Sequence, residues 1–169
     1  PFDEVTGGLA ALVSGGMNLK DATRALPAIA KTAQAAGAEI ADISNTTLTL
    51  SQALGILPEK TQAAFDILVA GGKAGKFELK DMARYFPSLG PAAAAVGLKG
   101  EEGLKRIVTA LQAIRMGTGT AEEAAASAQN IFAKMESEET TKRFKKFGID
   151  LRKEMANARK DGRDLLTVF

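Results

Sequence analysis

The sequence predicts an all-α protein, a bundle of short amphipathic helices. Alanine is frequent, only 5% of the residues are aromatic, and apolar residues recur at spacings of three and four. Alanine loses the least entropy on entering a helix, and this spacing places apolar side chains on one helical face. The chain has 169 residues, 46% of them hydrophobic and 25% charged, which suffices for one globular domain with a core.

Glycine and proline divide the first part of the chain into helices. Asn18 is predicted to cap the second helix, and Pro58 suits the first turn of the fourth. The predicted segments are Asp3 to Ser14, stopped by Gly15-Gly16; Leu19 to Ala36, split or kinked at Pro27 and ended by Gly37; Glu39 to Leu54, ended by Gly55; and a helix from Pro58 that ends at Gly71-Gly72.

The second part follows the same logic. Thr120 and Glu123 have the spacing of a capping box, which predicts the start of a helix. The predicted segments are Glu78 to Phe86, broken by Pro87; an alanine-rich piece that ends at Gly97; a helix carrying Leu104, Ile107, Val108, Leu111 and Ile114; a loop at Gly117-Thr118-Gly119; and a helix carrying Ala124, Ala128, Ile131, Phe132 and Met135.

An internal repeat with an offset of 60 residues links these segments. A repeated unit that cannot bury its apolar face alone can bury it against its copy, so we expect a pseudo-twofold bundle. The expected organisation is a single helical domain over 1–169, with repeat unit A at about 3–57, repeat unit B at about 58–136 and a C-terminal helical segment at 137–169. The matches are Leu19-Lys20-Asp21 with Leu79-Lys80-Asp81, Arg24 with Arg84, Pro27 with Pro87, and Gly37 with Gly97.

The composition disfavours most classes of enzyme. The chain contains no histidine, cysteine or tryptophan, and its net charge is +2. The usual thiol nucleophile, the usual acid–base group at neutral pH and the imidazole or thiolate metal ligands are therefore missing. We assign no catalytic, cofactor-binding or metal-binding residue, and we expect no cofactor. The near balance of charge gives no overall attraction to nucleic acid or membrane.

Two glycine-rich segments superficially suggest anion sites. Gly71 to Phe77 lacks the first glycine and the final Ser/Thr of a phosphate-binding loop, and Met116 to Thr120 follows no strand. We interpret both as turns between helices. The acid pairs Glu101-Glu102, Glu122-Glu123 and Glu138-Glu139 lie at predicted helix starts, where carboxylates complement the helix dipole.

The segment Lys142 to Phe147 is the one basic cluster of the sequence. It interleaves aromatic residues with cations, as a surface for nucleic acid or an acidic partner does. We favour a structural interpretation, in which Phe144 and Phe147 share one helix face and the cations are solvated near the C-terminus of the helix. A cytoplasmic helical adaptor or nucleic-acid-binding module that uses Lys142 to Lys146 is the alternative function.

The order of the segments resembles the conserved core region of phage and prophage tail tape measure proteins, the phage-related minor tail proteins. The matching residues are Leu79 to Leu89, the alanine-rich stretch to Gly97, the helix to Met116 with its turn at Gly117, Thr120 to Ala125, Phe144 to Leu151, and Asp161 to Leu166.

The resemblance implies a structural role in the virion. Such a protein lies in the lumen of the phage tail, sets the length of the tail tube during assembly in the host cytoplasm, and is released during genome ejection. Its implied partners are the tail tube protein, tail assembly chaperones and tail tip proteins, with self-association left open. A small-molecule substrate or sequence-specific nucleic acid is not implied. Since the sequence begins Pro1-Phe2-Asp3, we expect it to be a fragment of a much longer chain.

Overall fold

The structure is a computed structural model that describes residues 2–74, 76–135 and 137–162. The described residues contain helices and no strands, which confirms the predicted all-α class. The helices are α1 (Phe2–Ser14), α2 (Leu19–Ala36), α3 (Ile40–Gln52), α4 (Thr61–Ala74), α5 (Leu79–Ala95), α6 (Gly100–Met116), α7 (Ala121–Met135), α8 (Glu138–Lys146) and α9 (Leu151–Lys160), with a 3₁₀ turn at Pro58–Lys60 before α4.

The helix α3 lies at the centre of the bundle, packed against α1, α2 and α5. It is rich in threonine, and Thr47 and Thr49 are buried because their hydroxyls donate to the carbonyls of Ile43 and Asn45, at 2.9 and 3.0 Å. Such bonds to the preceding turn satisfy a hydroxyl without a distant partner. A polar-looking sequence can therefore form the central helix.

One apolar core runs through the bundle. Its largest fully buried side chains come from the five helices α1 to α5 and the loops beside them, and they include three phenylalanines. They are Leu12, Ile29, Ile43, Leu50, Leu54, Phe65, Leu68, Phe77, Met82, Phe86, Leu89 and Leu98.

The predicted break at Pro87 is wrong, because α5 continues through Pro87 to Ala95. Proline has no N–H group, so it leaves the carbonyl of Ala83, four residues earlier, without its helical donor. The hydroxyl of Thr46 in α3 donates to that carbonyl at 3.1 Å. Likewise α2 is one helix with Pro27 inside it, and it is not split in two.

The prediction that Gly71-Gly72 ends the fourth helix is also wrong, since α4 runs on to Ala74. A Cβ added at Gly71 would lie 2.0 Å from Cγ1 of Val108 in α6. Glycine at this position therefore permits close packing of two helices. Gly15-Gly16 does terminate α1, with Gly16 at φ +95°.

The internal repeat is not confirmed. The helix order α1–α2–α3 matches α4–α5–α6, but the packing differs between the two units. In the first unit α2 packs against α3, whereas in the second α5 packs against α3 and α7 and has little close backbone contact with α6. The contact of α1 with α3 recurs as that of α4 with α6, so the two units differ in how α2 and α5 are placed. The Gly-Gly pairs differ in that Gly16 ends its helix, whereas α4 continues past Gly72.

Candidate functional site

The segment after α4 is fixed by a side chain of α6. The amide of Gln112 donates to the backbone carbonyl of Phe77 at 2.9 Å and accepts from the Phe77 N–H at 3.2 Å. The Phe77 ring is fully buried. Gly75 lies outside the described residues, and the described part of the glycine-rich segment is helix or is held to α6. The segment therefore joins α4 to α5, and its described part packs against α6.

Local hydrogen bonds also fix the turn before α7. The N–H of Glu123 donates to the Thr120 hydroxyl at 3.1 Å, and the Glu123 carboxylate accepts from the N–H of Gly119 at 2.8 Å and that of Thr120 at 3.2 Å. This confirms the predicted capping box. The carboxylate occupies the amides that an anion would need, so the turn is a helix cap.

The three acid pairs lie in the first turns of α6, α7 and α8, as predicted. The hydrogen bond from Lys105, aided by its positive charge, lowers the pKa of Glu102, and the same contact raises the pKa of Lys105. Both side chains are exposed, and both shifts favour the charged forms that prevail at neutral pH. This pair is a surface ion pair and provides no acid or base.

A groove of about 550 Å³ lies between α2 and α4. Phe65 and Val69 contribute apolar surface to it, while Lys31, Asp66 and Lys73 contribute charges of both signs. This mixed lining selects no particular ligand chemistry. Among residues 2–74, 76–135 and 137–162, no group of three or more acidic side chains is placed to hold a metal ion.

The basic segment Lys142–Lys146 belongs to α8, which has no buried residue. Lys142 pairs with Glu138 at 3.3 Å and Arg143 pairs with Glu139, in both cases one turn apart along the helix. These exposed pairs offset two of the four cations, and pairs of this kind contribute at most about 1 kcal/mol each.

The prediction that Phe144 and Phe147 share a helix face is wrong. Phe144 packs against the core, whereas Phe147 is 82% exposed. The reason is that α8 ends at Lys146, and Phe147 is the C-cap with φ −95° and ψ 12°. Its backbone has left the helix, so the spacing of three residues no longer places the two rings together.

Two further cations lie across the turn from this segment. Arg152 and Lys153 are exposed in the first turn of α9, six and seven residues after Lys146. They were not predicted as part of the cluster, because the cluster was interpreted as one helical run. The glycine at position 148 is the signal that places a turn between the two pairs.

The described residues thus define a helical protein in which most charged side chains are exposed and the buried polar side chains chiefly bond the backbone of its own helices and turns. Within the part of the chain that the structure describes, no helix is long and apolar enough to cross a membrane. These properties are typical of scaffold and assembly proteins.

The chain belongs to the family of phage-related minor tail proteins, which it matches over residues 1–169. It is similar to the "Probable tape measure protein" of Burkholderia phage BcepMu, with 35% identity over 151 residues. That similarity covers 89% of this chain and 18% of the relative, so the chain spans about a fifth of the length of the protein it matches. No solved structure matches the chain.

The family confirms the structural phage tail class that the segment order suggested. The alternative function, an adaptor or nucleic-acid-binding module built on Lys142 to Lys146, finds no support in the comparisons. Arg163 to Leu166, which closed the resemblance at the C-terminal end, lie outside the described residues.

Proposed function

We propose that this chain is a folded module of a tape measure protein, which sets the length of the phage tail tube. The observation that carries the proposal is the family match over the whole chain, together with the 35% identity to a relative named as a tape measure protein. The all-helical fold of the described residues supports a structural role without enzymatic activity.

The module contributes less length per residue than an uninterrupted helix. A helix rises about 1.5 Å per residue, so 169 residues in one helix would span roughly 250 Å. The longest described helix is α2 with 18 residues, or about 27 Å, and α1 to α7 pack side by side around one core. A compact bundle therefore holds many residues in a short axial distance.

The partners of the module are other tail components: the tail tube protein, the tail assembly chaperones and the tail tip proteins. The module binds them in the host cytoplasm during assembly and then resides in the tail lumen of the virion. The exposed charged faces of α8 and α9 support protein contacts of this kind, since both helices are mostly exposed and strongly polar.

The test is tail length in a phage that carries this gene. One mutant lacks the 169 codons of the module in frame, and a matched mutant lacks an equal number of codons from a segment of the same gene predicted to be continuous helix. We expect the helix deletion to shorten the tail by nearly 250 Å and the module deletion to shorten it by clearly less. Electron micrographs of both phages give the two lengths.

Unchanged tail length in both mutants would refute the ruler assignment. Complete loss of tails in the module mutant alone would replace it with a role in initiating assembly, through a contact that the module's surface makes.

A further inference from the structure

The turn between α8 and α9 carries the most exposed large apolar side chain of the residues described. We define the hairpin tip as residues 145–153. Within it, Phe147 is 82% exposed, more than Met116 at 73% or Leu19 at 62%. A lone exposed apolar residue needs no special explanation, so the question is whether the turn itself requires a phenylalanine here.

The backbone of the turn does not require it. The N–H of Ile149 donates to the carbonyl of Phe144 at 3.1 Å, and the N–H of Gly148 donates to that of Lys145 at 3.0 Å. A helix end of this kind is usually accompanied by an apolar contact between the residue after the glycine and a residue of the last helical turn. In this turn those two residues are Ile149 and Phe144. Phe147 supplies only its backbone, so its ring is left for another contact.

The charges around the ring are unbalanced. Lys145, Lys146, Arg152 and Lys153 are exposed, and none has a side-chain ion pair with any described residue. The single carboxylate of the tip, Asp150, accepts the Lys153 N–H at 3.1 Å as the cap of α9. The tip thus combines an exposed phenylalanine with four exposed cations, none of them in an ion pair with a described residue.

The helix dipole favours only two of these four cations. Lys145 and Lys146 lie in the last turn of α8, where positive charge complements the helix dipole. Arg152 and Lys153 lie in the first turn of α9, where positive charge opposes it. Asp150 and Glu154 place two carboxylates at this end of α9, but the four cations outnumber them. The tip therefore keeps a net positive charge, which favours a negatively charged partner.

We propose that the hairpin tip docks on an acidic surface of another tail protein, with the Phe147 ring seated in an apolar depression bordered by carboxylates. An aromatic anchor with surrounding charge is the arrangement that dominates protein interfaces. This inference rests on the proposed function, which places the module among tail proteins. A lipid surface would instead require a broad apolar face, and α8 presents threonine, lysine, arginine and glutamate.

The experiment uses the full-length gene in a phage-producing host. The photoreactive amino acid p-benzoylphenylalanine replaces Phe147, or Met116 as the matched control, since both positions carry exposed apolar side chains. Assembled tails are purified and irradiated, and the adducts are mapped by mass spectrometry. We expect position 147 to form an adduct with one tail protein, within a peptide rich in aspartate and glutamate, and position 116 not to form it.

Charge reversal then tests the electrostatic part. In the position-147 background, Lys145→Glu with Lys146→Glu should lower the adduct yield at least tenfold. The control pair Lys99→Glu with Lys134→Glu makes the same change in net charge at exposed sites elsewhere and should leave the yield unchanged.

Four results would overturn the inference. Position 147 could give no adduct, or an adduct with phospholipid or DNA only. The two positions could give equal adducts, or the adduct yield could stay the same after the charge reversal. Tail length measured on the module-deletion phage separates the two proposals. If the deletion changes tail length as expected and position 147 gives no adduct, only the docking inference fails. If the adduct forms as expected and the deletions leave tail length unchanged, only the ruler assignment fails.

Discussion

At the scale of single residues, the bundle depends on a few contacts that leave no space for one more atom. The contact of Gly71 with Val108 is the tightest of them, because a Cβ on the glycine would lie 2.0 Å from Cγ1 of the valine. Val108 is itself only 4% exposed, so it cannot turn into solvent. Elsewhere in a helix glycine is costly, and here the close approach of α4 and α6 explains its presence.

The variant Gly71→Ala should therefore lower the free energy of unfolding by about 1–3 kcal/mol, the usual cost of overpacking a core. The matched control is Gly7→Ala in α1, where a Cβ meets nothing within 4 Å. That variant should gain about 0.5–1 kcal/mol from helix propensity alone. Urea unfolding followed by circular dichroism measures both.

The double variant Gly71→Ala with Val108→Ala identifies the cause. If the clash is with Cγ1, the double variant should be less destabilised than the sum of the two single variants. Strict additivity would mean that another contact limits the space at Gly71.

At the scale of helices, α3 and α5 are joined through a proline. Because Pro87 has no N–H, the Ala83 carbonyl would be buried without a donor, and Thr46 provides one from the neighbouring helix. A residue that normally breaks a helix thus creates a hydrogen bond between two helices. The bond lies in the most extensive helix–helix contact of the bundle.

Thr46→Val should destabilise the protein by about 1–3 kcal/mol, since it keeps the shape of the side chain and leaves a buried carbonyl unsatisfied. In a Pro87→Ala background the restored N–H of residue 87 can bond Ala83, so the same substitution should cost much less. The two costs are obtained from urea unfolding of the four proteins in the cycle.

Ser44→Ala is the control for removing a buried hydroxyl from α3. Among the described residues the Ser44 hydroxyl has no hydrogen-bond partner, so its loss should be neutral or stabilising. An equal cost of Thr46→Val with and without Pro87 would show that the hydroxyl does not compensate for the proline.

At the scale of the whole molecule, the helices are unequally attached. The helices α1 to α7 form a continuous set of contacts around the core, whereas α8 packs mainly against α9. The hairpin of α8 and α9 joins the core through a few apolar side chains, among them Phe144, Leu151 and Met155. We expect this hairpin to open at a lower free energy than the rest.

Leu151→Ala should accordingly raise amide hydrogen exchange in α8 and α9 while exchange in α3 and α5 stays slow. Leu50→Ala, at the centre of the bundle, removes a side chain that is also almost fully buried and should destabilise all helices together by about 2–5 kcal/mol. Exchange followed by mass spectrometry on the 169-residue chain distinguishes the two patterns. Uniformly faster exchange with Leu151→Ala would show that the hairpin unfolds only with the whole bundle.

Local signals in the sequence predicted the features that depend on local contacts. The cap of α2 at Asn18 and the capping box of α7 form within three residues, and both were predicted. The continuity of α5 depends on Thr46, which is 37 residues away from Ala83. Gly15 and Gly71 both pack closely against another helix, at Leu48 and at Val108, but only Gly16 has the positive φ that ends its helix. Such partners are set by packing, which the spacing of residues does not specify.

The candidate site was predictable to a similar extent. The basic character of Lys142 to Lys146 follows from composition, and two of its cations form the one-turn ion pairs expected on a helix. The exposure of Phe147 depends on the residue at which α8 ends, and helix ends are the least certain part of a sequence prediction. The cations of α9 join the tip only once that turn is known.

Because the helices are unequally attached, the force needed to unfold the module depends on the end from which it is pulled. A pulling force applied beyond α9 first meets the sparse contacts of the hairpin, which can detach as a unit while the core stays intact. A force applied at α1 acts at once on a helix packed against both α2 and α3. If the chain is drawn out of a narrow tube by its C-terminal side, the hairpin of α8 and α9 detaches first, at a lower force than the core requires. If the chain is pulled from its N-terminal side, no helix detaches before the core itself unfolds.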